Sequence, residues 1–440
     1  MSRLLTMAAV DGPAPPDFHL FETESGHHAL VVNGSRVYSM SASAAGTLAS
    51  AADPRLALAA LGLDAPAYVT DEPLRDPPVR ALSLAIAQRC NLGCSYCYAQ
   101  GGSFGGEERA MPADVAFTAL EHLVSGATPG ERVHLTFLGG EPLTNRPLIR
   151  ACTERAAALA RSRDVEIGFA ITTNGTLLTP DDGEFFERFG FAVTISLDGT
   201  GEVHDRLRPF KDGRGSYARI VERVRPLLAR QRRMQVSARV TVTPLNPGLR
   251  DTLDGLLALG FHSVGFSPML AAPAAAGEMG ARDLEGMLDE MIACGREFEA
   301  RTRRGERYAF QNLATALREL HRGTHRPYPC GAGAGYLGVS ASGDLYACHR
   351  FVENPAGAMG TVHGGVDRAR QREWLAVRHV HAQEPCRSCW ARYLCGGGCH
   401  HEVIHRGRPA CEYIRGWLHY CLQAYVRLQD ACPGWFERPA

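Results

Sequence analysis

Eleven of the fourteen cysteines in this chain fall into spacings that metal ligation explains and disulfide pairing does not, and this constrains the fold more than any other feature. Three stand in Cys90-Asn-Leu-Gly-Cys94-Ser-Tyr-Cys97, and eight are gathered between Cys330 and Cys421. The start, MSRLLTMAAVDG, has too short an apolar stretch before Asp11, Pro13 and Pro15 to read as an export signal. The expected compartment is therefore cytoplasmic, where thiols stay reduced and a cysteine-rich pattern reads as metal or redox chemistry.

With 440 residues, 45% apolar and 21% charged, the chain has material for two or three domains, or for one large barrel with attachments. Lys and Arg total 47, equal to Asp and Glu, so net charge gives no reason to expect nucleic acid or an anionic membrane as partner. The short basic run Arg230-Gln231-Arg232-Arg233 reads as the solvated end of a helix. No stretch approaches the roughly 18 apolar residues of a membrane span.

Residues 1–16, rich in Ala and Pro, read as a flexible leader. In residues 17–70, FHLFE (18–22), ALVVN (29–33) and RVYSM (36–40) read as strands, with a tight turn at Asn33-Gly34, and a helix follows over 41–52. This is a small α+β module. Between residues 79 and 275, strand-like runs at 81–87, 134–140, 166–174, 192–198, 234–243 and 262–268 alternate with helical stretches. Six such repeats predict an α/β fold, a partial (β/α)6 barrel with its chemistry at the C-terminal strand ends. Residues 276–325 read as bridging helices, and 326–440 as a Gly- and Cys-rich domain whose core depends on metal.

The first cysteine group directly follows the first barrel strand. Thiolates at CX3CX2C spacing can hold three corners of a [4Fe–4S] cube, and the fourth iron is then free to chelate the amino and carboxylate groups of S-adenosylmethionine (SAM). CNLGCSYCY resembles the signature of the radical SAM superfamily, and Gly139-Gly140-Glu141-Pro142 after the second strand resembles its GGEP element. The resemblance implies SAM contacts from Tyr96, from the Gly139 and Gly140 backbone with Glu141, and from Asn174, Ser196 and Arg239. Cys90, Cys94 and Cys97 would be the cluster ligands. A zinc site with a distant fourth ligand is the bland alternative.

The second group comprises Cys330, Gly343-X4-Cys348, Cys386-X2-Cys389-X5-Cys395-X3-Cys399, Cys411 and Cys421. It resembles the SPASM extension of radical SAM peptide maturases, which implies two auxiliary [4Fe–4S] clusters and three clusters in all. By that resemblance Cys330, Cys348 and Cys399 hold the first auxiliary cluster. Cys386, Cys389 and Cys395 hold the second, with Cys411 or Cys421 as its fourth ligand; Cys421 is alternatively the closing ligand of the first. A zinc ribbon is the rival for these cysteines. Cys152, Cys294 and Cys432 read as buried small hydrophobes.

The resemblance also implies a substrate: a ribosomally made peptide or small protein subunit, with a leader peptide captured by the module at 17–70 as an added edge strand, and a flavodoxin- or ferredoxin-type electron donor. The texture CRSCWARYLCGGGCHHEV is closest to thioether-forming members, which join Cys sulfur to a carbon of another residue. Cyclophane crosslinking and formylglycine formation are alternatives, and a non-catalytic iron–sulfur carrier is the reading from another class. His349, next to Cys348, is a candidate proton acceptor, with Asp344 and Glu353 as alternatives.

Overall fold

The computed structural model describes residues 17–272 and 277–437; the expected leader at 1–16 lies outside them. Strands β1 (Phe18–Thr23), β2 (Gly26–Val31) and β3 (Arg36–Met40) form an antiparallel sheet in that order. Helix Ala42–Ala49 follows, with the Ser41 side chain accepting from Ala44 N at its start. The sequence reading missed a second helix, Pro54–Ala60, capped by Asp53 with Pro at its first turn. The two helices cover Ala29 and Val31 on one sheet face.

Six parallel strands then form the array expected from the alternation: β4 (Ala81–Ala87), β5 (Arg132–Gly139), β6 (Glu166–Thr173), β7 (Ala192–Ser196), β8 (Gln235–Val242) and β9 (Val264–Pro268), paired in chain order. The intervening helices, Ala113–Ser125, Arg146–Ser162, Pro180–Phe189, Tyr217–Arg230 and Leu249–Ala258, pack their apolar faces against it. Along β8, Val236, Ala238, Val240 and Val242 are buried toward the helices, while Gln235, Ser237, Arg239 and Thr241 turn to the lumen.

The Cys-rich region is joined to this sheet. β10 (Tyr336–Val339) pairs parallel with β4, matching Tyr336 to Ala81 and Gly338 to Ser83. The antiparallel strands β11 (Asp344–Tyr346), β12 (Ala358–Thr361) and β13 (Gly365–Val366) extend it to ten strands. One edge of the partial barrel is thus closed by the segment that carries Cys348. Helices Ala281–Arg303, Gln311–His321 and Cys411–Ala431 pack together beside it. No helix among the described residues is long and apolar enough to cross a membrane.

Candidate active site

The loop after β4 carries Cys90, Cys94 and Cys97 across the C-terminal ends of the parallel strands. Gly93 N donates to Pro209 O at 2.8 Å and pins its tip. Beside it, Gly139 has φ +151°, and a Cβ there would stand 2.2 Å from Ala87 O; one on Gly140 would stand 2.4 Å from Arg89 O. Only glycines let this turn lie against the cysteine loop. All five residues line one cavity of about 1580 Å³, together with Tyr96, Asn174, Ser196 and Arg239.

Glu141 departs from the sequence expectation. It is 0% exposed, and its carboxylate accepts from Leu143 N (3.0 Å), Thr173 Oγ1 (2.7 Å) and Asn174 N (2.7 Å). It ties the ends of β5 and β6 together behind the cavity wall. Asn174 gains its position from that bond and points Nδ2 toward Asn91 Oδ1 (2.9 Å) and Cys90 Sγ (3.8 Å).

Two residues that the sequence reading passed over stand at the centre of the site. Asp198, just past β7, is fully buried and accepts from Tyr96 Oη and from Thr241 N at 2.8 Å. Arg208 donates to Tyr96 Oη at 2.7 Å and lies 3.6 Å from Asp198. Burial pushes the Asp198 carboxyl up, and Arg208 opposes that. The available signal was two charged residues ten apart in LDGTGEVHDRLRPF, both within a short connection following a strand end. The pair places a cation in the cavity wall beside Cys94, whose thiol burial pushes up to about 11 and Arg208 pulls down.

Among the described residues, no three His, Cys, Asp or Glu side chains converge as ligands of a single ion do. The cysteines form looser groups, recognisable by their mutual electrostatic effect. Burial raises Cys90 and Cys94, and Cys97 adds to both. Burial raises Cys330 and Cys348, the latter to about 12, and Cys399 adds to both. Burial raises Cys386, Cys395 and Cys411, and Cys389 adds to all three. Cys386, Cys389, Cys395 and Cys411 surround a separate small cavity of about 60 Å³. Cys421 joins none of these groups: it is fully buried on helix Cys411–Ala431, and its charged neighbour is Glu299. Thiols that resist ionisation and crowd one another fit iron, whose positive charge would stabilise their thiolates. Cys152 and Cys294 are buried core residues, as expected, whereas Cys432 is half-buried and lines the large cavity.

Of the three candidate proton acceptors, the structure brings only His349 to the cavity. Its Nδ1 lies 2.7 Å from Tyr336 Oη, which lies 2.7 Å from Ser83 Oγ. Burial, reinforced by Arg350, lowers its pKa to about 4, so the ring is neutral at neutral pH. Asp344 instead accepts from Ser342 Oγ at 2.7 Å on β11. Glu353 takes a bond from Gln88 Nε2 at 3.1 Å and sits at φ 59°, outside the cavity lining.

Between the first two cysteine groups stands Arg350. It donates to Glu402 Oε1 at 2.7 Å, approaches Cys399 Sγ at 3.9 Å and lies 5.3 Å from the ring centroid of Tyr98. Cys399 and Glu402 line both the large and the small cavity, so they form the wall between them.

Comparison with known proteins agrees with this architecture. The serine-type anaerobic sulfatase-maturating enzyme of Klebsiella aerogenes is 24% identical over 74% of this chain and 81% of the relative. The solved structure of native anSMEcpe with bound AdoMet and Cp18Cys peptide covers 80% of this chain and 99% of its own, with a TM-score of 0.65 at 17% identity. Streptococcus suis SuiB covers 90% of this chain and 98% of its own, with a TM-score of 0.52 at 14% identity. Residues 84–259 match the Radical SAM superfamily. They run from within β4 to just past helix Leu249–Ala258 and include every residue of the first cysteine group, so this part of the chain is a radical SAM domain.

Proposed function

We propose that this enzyme matures a ribosomally made peptide or small protein subunit by joining a Cys sulfur to a carbon of another residue. Cys90, Cys94 and Cys97 would hold the SAM-binding cluster; Cys330, Cys348 and Cys399 would hold the first auxiliary cluster; and Cys386, Cys389, Cys395 and Cys411 would hold the second. When bound, these groups and SAM supply a 5′-deoxyadenosyl radical that takes a carbon-bound hydrogen, and an acceptor for the electron left when the new bond closes. The chain's own side chains do the rest. Tyr96, Gly139, Gly140, Asn174, Ser196 and Arg239 line the cavity and are the residues that would hold SAM there. Neutral His349 takes the proton of the substrate thiol, and Tyr336 orients its ring.

The observation that carries the thioether reading is the three-cysteine group at Cys399. Cys399 lines the same cavity as Cys90, Cys94 and Cys97, and Cys421, the residue that would have closed the group, lies elsewhere. A cluster held by three cysteines, with Cys399 in the cavity wall, would leave a place for substrate sulfur. The similarity to anSMEcpe with its bound peptide and to the sulfatase-maturating enzymes supports a peptide substrate, and also a second reading, formylglycine formation. Mass spectrometry of a peptide co-expressed with the enzyme tests both. Thioether formation removes two hydrogens per crosslink and blocks the peptide cysteines against alkylation. Free cysteines with a new hydroxylamine-reactive aldehyde would overturn it in favour of formylglycine.

A further inference from the structure

The large cavity does not stop at the SAM end. It is lined by residues at the N-terminal strand ends too, Ala192 on β7, Gln235 on β8 and His262 before β9, so it runs the length of the barrel. Its walls explain why it stays open. Barrel interiors are ordinarily filled by layers of bulky Val, Ile and Leu. Here Thr136, Thr172, Thr194, Ser237 and Thr241 are luminal and too short to meet across the axis, and Gln235, Arg239 and Leu138 share the lining with them.

The far mouth is cationic. Arg307 donates to His262 O at 2.7 Å, and Arg318 stacks 5.4 Å from the Trp435 ring centroid. Neither has a carboxylate partner among the described residues. Arg303 shares Glu299 at 3.9 Å, and Glu306 is held by Arg304 at 2.7 Å. Further in, Arg239 lines the cavity and bonds Ser267, and beyond it Arg208 borders the cysteine loop. Positive charge therefore recurs along the axis from mouth to SAM site, with neutral hydroxyls between. Charge of one sign along a low-dielectric passage concentrates and guides opposite charge.

SAM held at the first cysteine group would release methionine at the inner end of this passage, while a peptide substrate would occupy the side facing the Cys399 group. We propose that the rear mouth formed by Arg307, Arg318 and Trp435 is a second opening of the active site, through which a small α-amino carboxylate of the methionine class passes. This goes beyond the crosslink chemistry and holds whichever bond the enzyme makes.

The test uses reconstituted holoprotein carrying Thr194→Cys as a reporter within the lumen, with Ser237→Cys as a second reporter should the first misfold. Each is labelled with a sulfonate or a trimethylammonium methanethiosulfonate, and modification is read by site-resolved mass spectrometry. Relative to their rates on free cysteine, the sulfonate should label the reporter faster by about tenfold or more. That preference should fall toward unity in Arg307→Gln/Arg318→Gln, whereas reagents arriving from the other side would ignore those substitutions. L-Methionine should slow labelling, and hexaglutamate should not. Equal rates for the two reagents, a preference retained in the double variant, or a reporter that neither reagent reaches would each overturn the proposal. Protection by hexaglutamate alone would also overturn it, assigning the mouth to acidic peptide segments instead.

Discussion

Arg350 Nη1 lies 2.7 Å from Glu402 Oε1, and this ion pair occupies the wall between the SAM-end cavity and the second cysteine cavity. Both side chains are less than one-fifth exposed, at 17% and 18%. Removing one partner strands the other's charge in a poorly hydrated place. Glu402→Gln should therefore cost about 2 kcal/mol of stability, and Arg350→Met/Glu402→Leu less than the sum of its singles. Thermal unfolding of the four proteins checks this, and strictly additive losses would show that the pair is not coupled.

Gly139→Ala should be more damaging than its size suggests. The new Cβ would lie 2.2 Å from Ala87 O at φ +151°, so β5 must draw away from the cysteine loop. Lower SAM affinity by equilibrium binding, with the absorbance of the auxiliary clusters retained, is the expected result. Glu141→Gln should instead act mainly on stability, because that carboxylate is spent on Leu143, Thr173 and Asn174.

The two rival fourth ligands separate cleanly. Cys411→Ala should lose about four irons per chain and the second auxiliary cluster's signal, and Cys421→Ala should lose none. Cys421 packs in a core against Glu299, Tyr413 and Tyr420, so its truncation should cost stability alone. Iron assay and electron paramagnetic resonance of both variants decide between them.

Docking of the N-terminal module should weaken on acidification. His19 on β1 stacks on Trp390 with centroids 3.8 Å apart and shares a 3.0 Å hydrogen bond with His419. Burial, with His419 adding, lowers the His19 pKa from 6.5 to about 4. The unfolded chain therefore binds a proton that the folded one refuses, and this stabilisation is present above pH 6.5 and lost as pH falls toward 4. The drop in melting temperature between pH 7.5 and 5.5 should be smaller in His19→Phe than in the parent protein.

The parts of the fold that repeat locally were readable from sequence. All six parallel strands lie where alternation placed them, because each is an apolar run bounded by its own helix and turn. What escaped depends on distant pairing. β10 is four residues long and joins β4 across some 250 positions, so nothing around Tyr336 announces it. The same holds for the site. Cys90, Cys94 and Cys97 are legible because one loop carries them, whereas Asp198 and Arg208 acquire meaning only when Tyr96 meets them. Glu141 shows the reverse: a motif position suggested ligand contact, but local geometry turns the carboxylate inward to tie two strand ends. Asp344 and Glu353 were reasonable by proximity in sequence to Cys348, yet β11 and the turn after it carry them away from the cavity.

The most direct test of the account combines iron content with SAM cleavage in anaerobically reconstituted protein. The parent should carry about twelve irons per chain and release 5′-deoxyadenosine with dithionite and SAM. Cys90→Ala/Cys94→Ala/Cys97→Ala should keep about eight irons and release none. A parent with four irons or fewer, or a triple variant that still cleaves SAM, would contradict the account.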